Sequence, residues 1–266
     1  MARRDSTTEG SAGAAMAGPS ETERRADALN RTFAGQSAEA VLKASIGTLF
    51  AGRLAVVSSF GTESAVLLHL VASIDPTIPV LFVDTDKLFG ETLRYRKSLV
   101  QRLKLTDARI LTPDPSRLAA LDPKGGLWAR DTDLCCRIRK VEPLALALTG
   151  TPDIAGFDAW ISGRKRFQSA TRFNIPLFEA EGERIKVNPL ADWGPKELQA
   201  YADLHELPPH PLIAQGYPSI GCMPCTDPVA PGEDARAGRW RGQDKTECGI
   251  HVGDLIVTEE DAGSGI

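Results

Sequence analysis

Short apolar runs alternate along this chain with longer segments whose apolar positions recur at helical spacing. Val41, Leu42, Ile46 and Leu49 share one side of a helix predicted over 37–50, with Ser37 as its N-cap and Gly52 ending it. Leu54-Ala-Val-Val57 is a continuous apolar run of buried-strand type. A helix over 65–73, a strand over 79–83, a helix over 91–103 and a strand over 108–111 follow. A strand over 159–162 comes next, then a hairpin whose arms, 177–181 and 184–187, flank Gly182-Glu183. Pro195 opens a last helix, to about residue 205. Strands alternating with helices predict an α/β fold, a parallel twisted sheet with helices on both faces.

The pattern fades at both ends. Residues 1–20 are rich in Ala, Gly, Ser and Thr and read as a disordered tail. Beyond Pro208 the chain turns to Pro, Gly, Cys and Arg. The expected organisation is therefore a tail (1–20), an α/β core (21–215) and an irregular C-terminal arm (216–266) of the kind on which chemistry is often placed.

Composition narrows the classes. With 42% hydrophobic and 25% charged residues the chain can close a globular core. A net charge of −4 gives no reason to expect a nucleic-acid partner. No apolar run approaches the ~18 residues of a membrane span. The start, MARRDSTTEG, has no apolar segment of signal-peptide type behind it, so a cytoplasmic location is expected. Five cysteines, an odd number in a chain of 266, do not make a disulfide scaffold and read as reduced thiols.

Ligands of open parallel sheets bind beyond the carboxyl ends of the strands. There stand Ser58, Ser59, Phe60, Gly61, Thr62, Glu63 and Ser64, a loop of small hydroxyl residues and a glycine leading into a helix. Its backbone N–H groups suit an anion. Taken alone, the loop equally fits an ordinary strand-to-helix turn. The next strand also ends in a polar pair, Asp84-Thr85, which favours a nucleotide crevice.

Four cysteines fall in two pairs, Cys135-Cys136 and, 86 residues after the first pair, Cys222-Met-Pro-Cys225. Four thiolates suit zinc or an iron–sulfur cluster. Neighbouring residues on a helix point about 100° apart. Vicinal thiols therefore converge poorly on one ion and more easily reach two corners of a cubane, which favours [4Fe–4S]. The fifth, Cys248, lies in Lys-Thr-Glu-Cys-Gly-Ile-His251. It reads equally as an exposed thiol or as a nucleophile activated by nearby cations. Basic residues gather at these features: Lys140 one helical turn after Cys136, Gly163-Arg-Lys-Arg166 after the strand at 159–162, and Arg236 and Arg239 before Cys248. Such groups match the oxygens of sulfate and phosphate.

These pieces together resemble the adenylyl-sulfate (APS) reductases, relatives of the phosphoadenylyl-sulfate (PAPS) reductases. The matching segments are Ser58-Ser-Phe-Gly-Thr-Glu-Ser-Ala65, Phe82-Val-Asp-Thr85, Glu91-Thr-Leu-Arg-Tyr-Arg96, Cys135-Cys136 through Lys140-Val-Glu-Pro143, Ser162-Gly-Arg-Lys-Arg166 with Gln168-Ser169, Gly221-Cys-Met-Pro-Cys225 and Lys245-Thr-Glu-Cys-Gly-Ile-His251. The resemblance implies an adenine-nucleotide α-hydrolase-like fold and a [4Fe–4S] cluster on Cys135, Cys136, Cys222 and Cys225. It further implies that Cys248 attacks the sulfur of APS, that AMP leaves, and that thioredoxin or a similar dithiol releases sulfite from the S-sulfocysteine. Lys140, Arg236 and Arg239 would counter the sulfuryl charge and His251 would close over the ligand. Lys165 and Arg166 would hold phosphate or sulfate, and residues 58–64 with Asp84 and Thr85 would line the nucleotide crevice. Relatives suggest a homo-oligomer. Two departures stand out: Asp86 takes a position where the family usually has Gly, and Gly90 one where it has Pro. Phe60 stands where ATP-cleaving relatives carry Gly, which argues against ATP pyrophosphatase chemistry. The rival readings are PAPS reduction, an ATP-using tRNA-thiolation relative, and a nucleotide-binding zinc or iron–sulfur redox sensor.

Overall fold

A computed structural model of the chain describes residues 18–251. Most of the tail expected over 1–20 and the last part of the arm lie outside the described residues. Ser20 already belongs to the fold: it caps helix α1 (Glu21–Thr32) in a reciprocal capping box with Glu23.

Strand β1 (Leu54–Val57) leads to α3 (Ser64–Ile74), β2 (Val80–Val83), α4 (Gly90–Arg102) and β3 (Ala108–Leu111). Helix α2 (Ala38–Ala44) precedes them. The single helix predicted over 37–50 is in fact α2 followed by a π-helical turn, Ser45–Leu49, with Gly47, a poor helix former, at its middle. Residues 112–158, in which sequence showed only a cysteine-bearing helical turn, fold into α5 (Pro115–Leu121), α6 (Leu127–Arg130), α7 (Thr132–Cys136), a π turn (Arg137–Val141), α8 (Glu142–Thr149) and a small ribbon of β4 (Gly150–Thr151) and β5 (Ile154–Ala155). Then come β6 (Ala159–Ser162), the hairpin β7 (Phe178–Glu181) and β8 (Arg184–Val187), and α9 (Pro195–Leu204).

The six-stranded sheet has the order β3-β2-β1-β6-β8-β7. All neighbours run parallel except β7 and β8, whose hairpin pairs Phe178 with Val187 and Glu181 with Arg184. Side chains alternate across it as the pleat requires. Leu54, Val56, Val80, Phe82 and Ile161 pack under α2, α3, α4 and α9, while Ala55, Leu81 and Trp160 pack against Leu144, Ala145 and Leu148 of α8. Helices thus cover both faces, as the continuous apolar strands demand. Among the described residues no helix is long and apolar enough to cross a membrane. After α9 the chain makes only short 3-10 turns up to residue 251.

Candidate active site

A cavity of about 280 Å³ opens at the carboxyl ends of β1, β2 and β6. From the β1 loop, Ser58, Ser59, Gly61, Thr62, Glu63 and Ser64 line it, and α3 starts there without a side-chain cap on its N-terminus. Phe60 does not line it. Its ring is fully buried and meets Phe82 edge-on at 5.4 Å between centroids. Its backbone takes the left-handed φ of 49°, a conformation that costs a non-glycine residue energy and tends to be kept at functional loops. From β2, Thr85 lines the cavity. Asp84 instead accepts the Asp86 N–H at 3.1 Å and shapes the turn. Asp86 has φ 58°, which explains the family's glycine there: aspartate is among the few other residues that tolerate this backbone.

From β6, Lys165 is 2% exposed and donates to Glu63 Oε2 at 2.7 Å. Burial pulls its ammonium below the ordinary value, with Glu63 acting in the opposite direction. Contrary to expectation, Arg166 lies outside the cavity. Its guanidinium is consumed by the Ile175 carbonyl, at 2.9 Å, and by the Asp192 carboxylate. The arginines that do reach the cavity from this side are Arg164 and Arg172.

Cys135 and Cys136 end α7, whose N-cap Asp131 accepts the Leu134 N–H at 2.9 Å. The π turn that follows carries Lys140 to the cavity wall, and such turns often mark functional positions. The same turn carries Arg139, which donates to the Thr85 carbonyl at 2.8 Å and to Asp122 Oδ2 at 2.9 Å. Thr85 Oγ1 in turn lies 3.2 Å from Cys222 Sγ. The Cys222–Cys225 turn is strapped to the β2–α4 loop by the Met223 N–H, which donates to the Lys87 carbonyl at 2.7 Å.

Cys135, Cys222 and Cys225 lie within electrostatic reach of one another; Arg139 acts on Cys135, and Lys140 and Arg239 act on Cys136, Cys222 and Cys225. Burial pushes the Cys135 thiol up to about 11, with Cys222 and Cys225 adding to the rise, and burial likewise raises Cys225. Burial alone would lower Lys140, but the charge it shares with Cys248, Cys222 and Cys136 holds it well above the usual range. Arg239 lies over the Trp240 ring at 4.4 Å and against the backbone of Gly221, where any Cβ would overlap its guanidinium. Among the described residues no three His, Cys, Asp or Glu side chains close on a single-ion centre.

The arm then crosses the cavity. Lys245 pairs with Asp133, and the Arg236 guanidinium donates to the Thr246 carbonyl at 2.8 Å. The neighbouring Cys136 thiol pulls Cys248 well below the ordinary thiol range against the effect of burial; Lys140 and Arg239 pull the same way. Cys248 and burial in turn raise the Cys136 thiol. His251 stacks on Trp160, with centroids 6.1 Å apart and planes 13° apart. Burial, then the charges of Arg164, Lys186, Arg172 and Arg236, push its imidazole well down, so it is neutral, and Nδ1 has no hydrogen-bond partner among the described residues.

The structure therefore gathers Lys140, Arg236, Arg239, Cys248, His251, Lys165, Thr85 and most of the β1 loop around one space with the four cysteines beside it. Phe60, Asp84 and Arg166 stand back from it. Sequence reasoning missed Arg139, Arg164, Arg172, Trp240 and Glu247. Arg164 had a signal in the basic run, and Arg139 and Glu247 lay inside the matching segments without being singled out; Arg172 and Trp240 belong to no spacing or period.

The chain matches the phosphoadenosine phosphosulfate reductase domain over residues 53–228. It is 52% identical over 222 residues to an adenosine 5′-phosphosulfate reductase of Mesorhizobium japonicum, covering 84% of this chain and 85% of that protein. It is 47% identical over 240 residues to the protein of the same name from a Chelativorans species, covering 90% and 96%. Among solved structures it resembles a phosphoadenylyl-sulfate (PAPS) reductase from Candida auris in its phosphate complex. There the TM-score is 0.64 at 25% identity, covering 80% of this chain and 99% of that one.

Proposed function

The chain belongs to the phosphoadenosine phosphosulfate reductase family, and from that premise we propose that this oxidoreductase converts adenosine 5′-phosphosulfate to sulfite and AMP through a covalent intermediate on Cys248. The observation that carries the proposal is the placing of Cys248: its thiol lines the cavity at the end of the β1 loop, in company with Lys140, Arg236 and Arg239.

The nucleotide lies along the β1 loop and Thr85, with phosphate oxygens toward the N–H groups that open α3. Lys140, Arg239 and Arg236 counter the charge on the sulfuryl oxygens, which makes the sulfur electrophilic. The Cys248 thiolate attacks that sulfur. An S–S bond forms, the bond from sulfur to the bridging oxygen breaks, and its electron pair leaves with AMP. A dithiol such as thioredoxin then attacks Cys248 Sγ, and sulfite departs with the S–S electron pair. The carrier's second thiol frees Cys248 and leaves the carrier as a disulfide, so the two electrons that reduce the sulfur come from the dithiol. Neutral His251, packed on Trp160, closes one side of the cavity and excludes water.

Preference for APS over PAPS is supported by the pairing of the cations. Among the described residues that line the cavity, Lys165 is matched by Glu63, Arg164 by Glu179 and Arg172 by Glu247, so these offer no free charge to a further phosphate. The donor set of Cys135, Cys136, Cys222 and Cys225 fits a [4Fe–4S] cluster: four thiols, three of them buried, beside two cations able to offset thiolate charge. Bound there, the cluster would supply a fixed anionic field next to Lys140. The sulfur chemistry itself is complete in Cys248 and the dithiol. Reduced thiols of this kind suit the cytoplasm.

The test is mass spectrometry of the Cys248 peptide after APS is added without reductant. One SO₃ group should appear on Cys248 and vanish on adding thioredoxin, and Cys248→Ser should release no sulfite. An unmodified Cys248 after APS alone, in enzyme that releases sulfite once thioredoxin is supplied, would sink the reading.

A further inference from the structure

Of the contacts that hold the arm in place, that of Glu247 is buried and many-sided. Its side chain is 9% exposed and that of its main partner, Arg172, is 10% exposed. Oε1 accepts from Arg172 Nε at 2.7 Å, Thr171 Oγ1 at 2.9 Å and Ser169 Oγ at 3.1 Å, and Oε2 accepts from Arg172 Nη2 at 2.7 Å. Arg236 Nη2 stands 3.6 Å from Oε2. By contrast, the Lys245–Asp133 pair has an Asp133 side chain that is 86% exposed, and such pairs hold little. The receptor is itself braced. Arg172 Nη1 donates to Gln168 Oε1 at 2.6 Å, and Gln168 Nε2 donates to Glu63 Oε2 at 2.6 Å, the oxygen that also accepts from Lys165. A continuous chain of polar contacts thus runs from the residue before Cys248 to the loop at the end of β1.

We infer that Glu247 is the positioning residue of the nucleophile: its carboxylate, received by Arg172, Ser169 and Thr171, locks the Cys248 segment over the cavity and ties that docking to the β1 loop. Glu247 touches no reacting atom in this scheme. It acts through the placement of Cys248 and through Arg236, which it holds beside the Thr246 carbonyl. The inference rests on the reading that Cys248 is the nucleophile.

The test compares Glu247→Gln and Glu247→Asp with the native holoenzyme in three measurements. These are peptide-resolved alkylation of Cys248 by iodoacetamide, equilibrium binding of APS, and the single-turnover rate of adduct formation. In Glu247→Gln, alkylation should quicken about tenfold or more as the segment undocks. Adduct formation should slow on the order of 10²-fold, the cost of misplacing a reacting group by about 1 Å, while APS binding does not weaken. Glu247→Asp, which keeps the charge on a shorter stem, should fall between. Should Glu247→Gln fail to fold, Ser169→Ala/Thr171→Ala removes two donors without touching charge and should shift alkylation in the same direction. Unchanged Cys248 alkylation in these variants overturns the inference. The alkylation measurement needs no APS, so it judges the positioning role even if APS proves not to be the substrate.

Discussion

The guanidinium of Arg139, 4% exposed, bridges the wholly buried Asp122 carboxylate and the Thr85 carbonyl, and so ties the turn after Cys136 to the loop that touches Cys222. Removing one partner of a buried pair leaves the other charged and unmatched, at roughly 3–5 kcal/mol. Arg139→Met should therefore lower stability by about that amount in urea titration. Arg139→Met/Asp122→Asn should recover part of it, since an asparagine carbonyl can still accept the Leu127 N–H that Asp122 now takes at 2.8 Å. A double variant no more stable than the single would refute the strut. Arg139 lay inside the matching segment after Cys136 but gave no sign of this role, because a charge in a π turn looks like any solvated charge until its partners are known. The cysteines, Lys140 and Arg239 were legible because residue type restricts their chemistry. Arg166 misled for the converse reason: in the run Arg164-Lys-Arg166 composition says that cations gather, but only the backbone decides which side chains turn inward.

At the level of elements, the strands read from apolar runs match the sheet closely, at 54–57, 108–111 and 159–162 to the residue. Leu54–Val57 and Ala159–Ser162 are buried on both faces, which leaves little freedom in their pattern, whereas Ala108–Leu111 is a half-exposed edge strand. The C-terminal arm offered no period to read, since its order comes from backbone contacts instead. One is the close pairing of Gly238 with Asp227, whose N–H donates to the Gly238 carbonyl at 2.9 Å beside the bridge from Thr226 to Arg239. A Cβ on Gly238 would overlap the Asp227 carbonyl oxygen. Gly238→Ala should accordingly pry this turn open and displace Arg239, weakening APS binding while leaving the thermal midpoint of the sheet nearly intact. Equal losses in both would mean that the arm is part of the folding core. That core, centred on β1, β2 and β6, is closed by residues up to Leu207.

For the molecule as a whole, acid sensitivity should be concentrated in the docked arm. Burial alone would raise the Glu247 carboxyl, but the Arg172 hydrogen bonds and the charges of Arg172 and Arg236 hold it at about 2, below its ordinary 4.5. A carboxyl with a depressed folded pKa stabilises the docked form fully above about pH 4.5 and loses that contribution as pH falls toward 2. The gap amounts to roughly 3 kcal/mol. The hydrogen-exchange protection factors of residues 243–251, rates taken relative to the free peptide at each pH, should hold from neutrality to about pH 4.5 and fall below it, and Glu247→Gln should abolish that step. A pH-independent profile in the native protein would count against the ion pair as the main anchor.

The walls of the cavity are laid down from Ser58 onward, yet the piece that finishes it, up to His251, comes nearly two hundred residues later in the chain. During synthesis the sheet is complete long before Cys248 leaves the ribosome. A chain that stops short of that residue carries the β1 loop and Thr85 of the cavity wall but not the thiol that, in the proposed reaction, takes up the sulfuryl group. Reactivity in this protein is thus the last property to be translated.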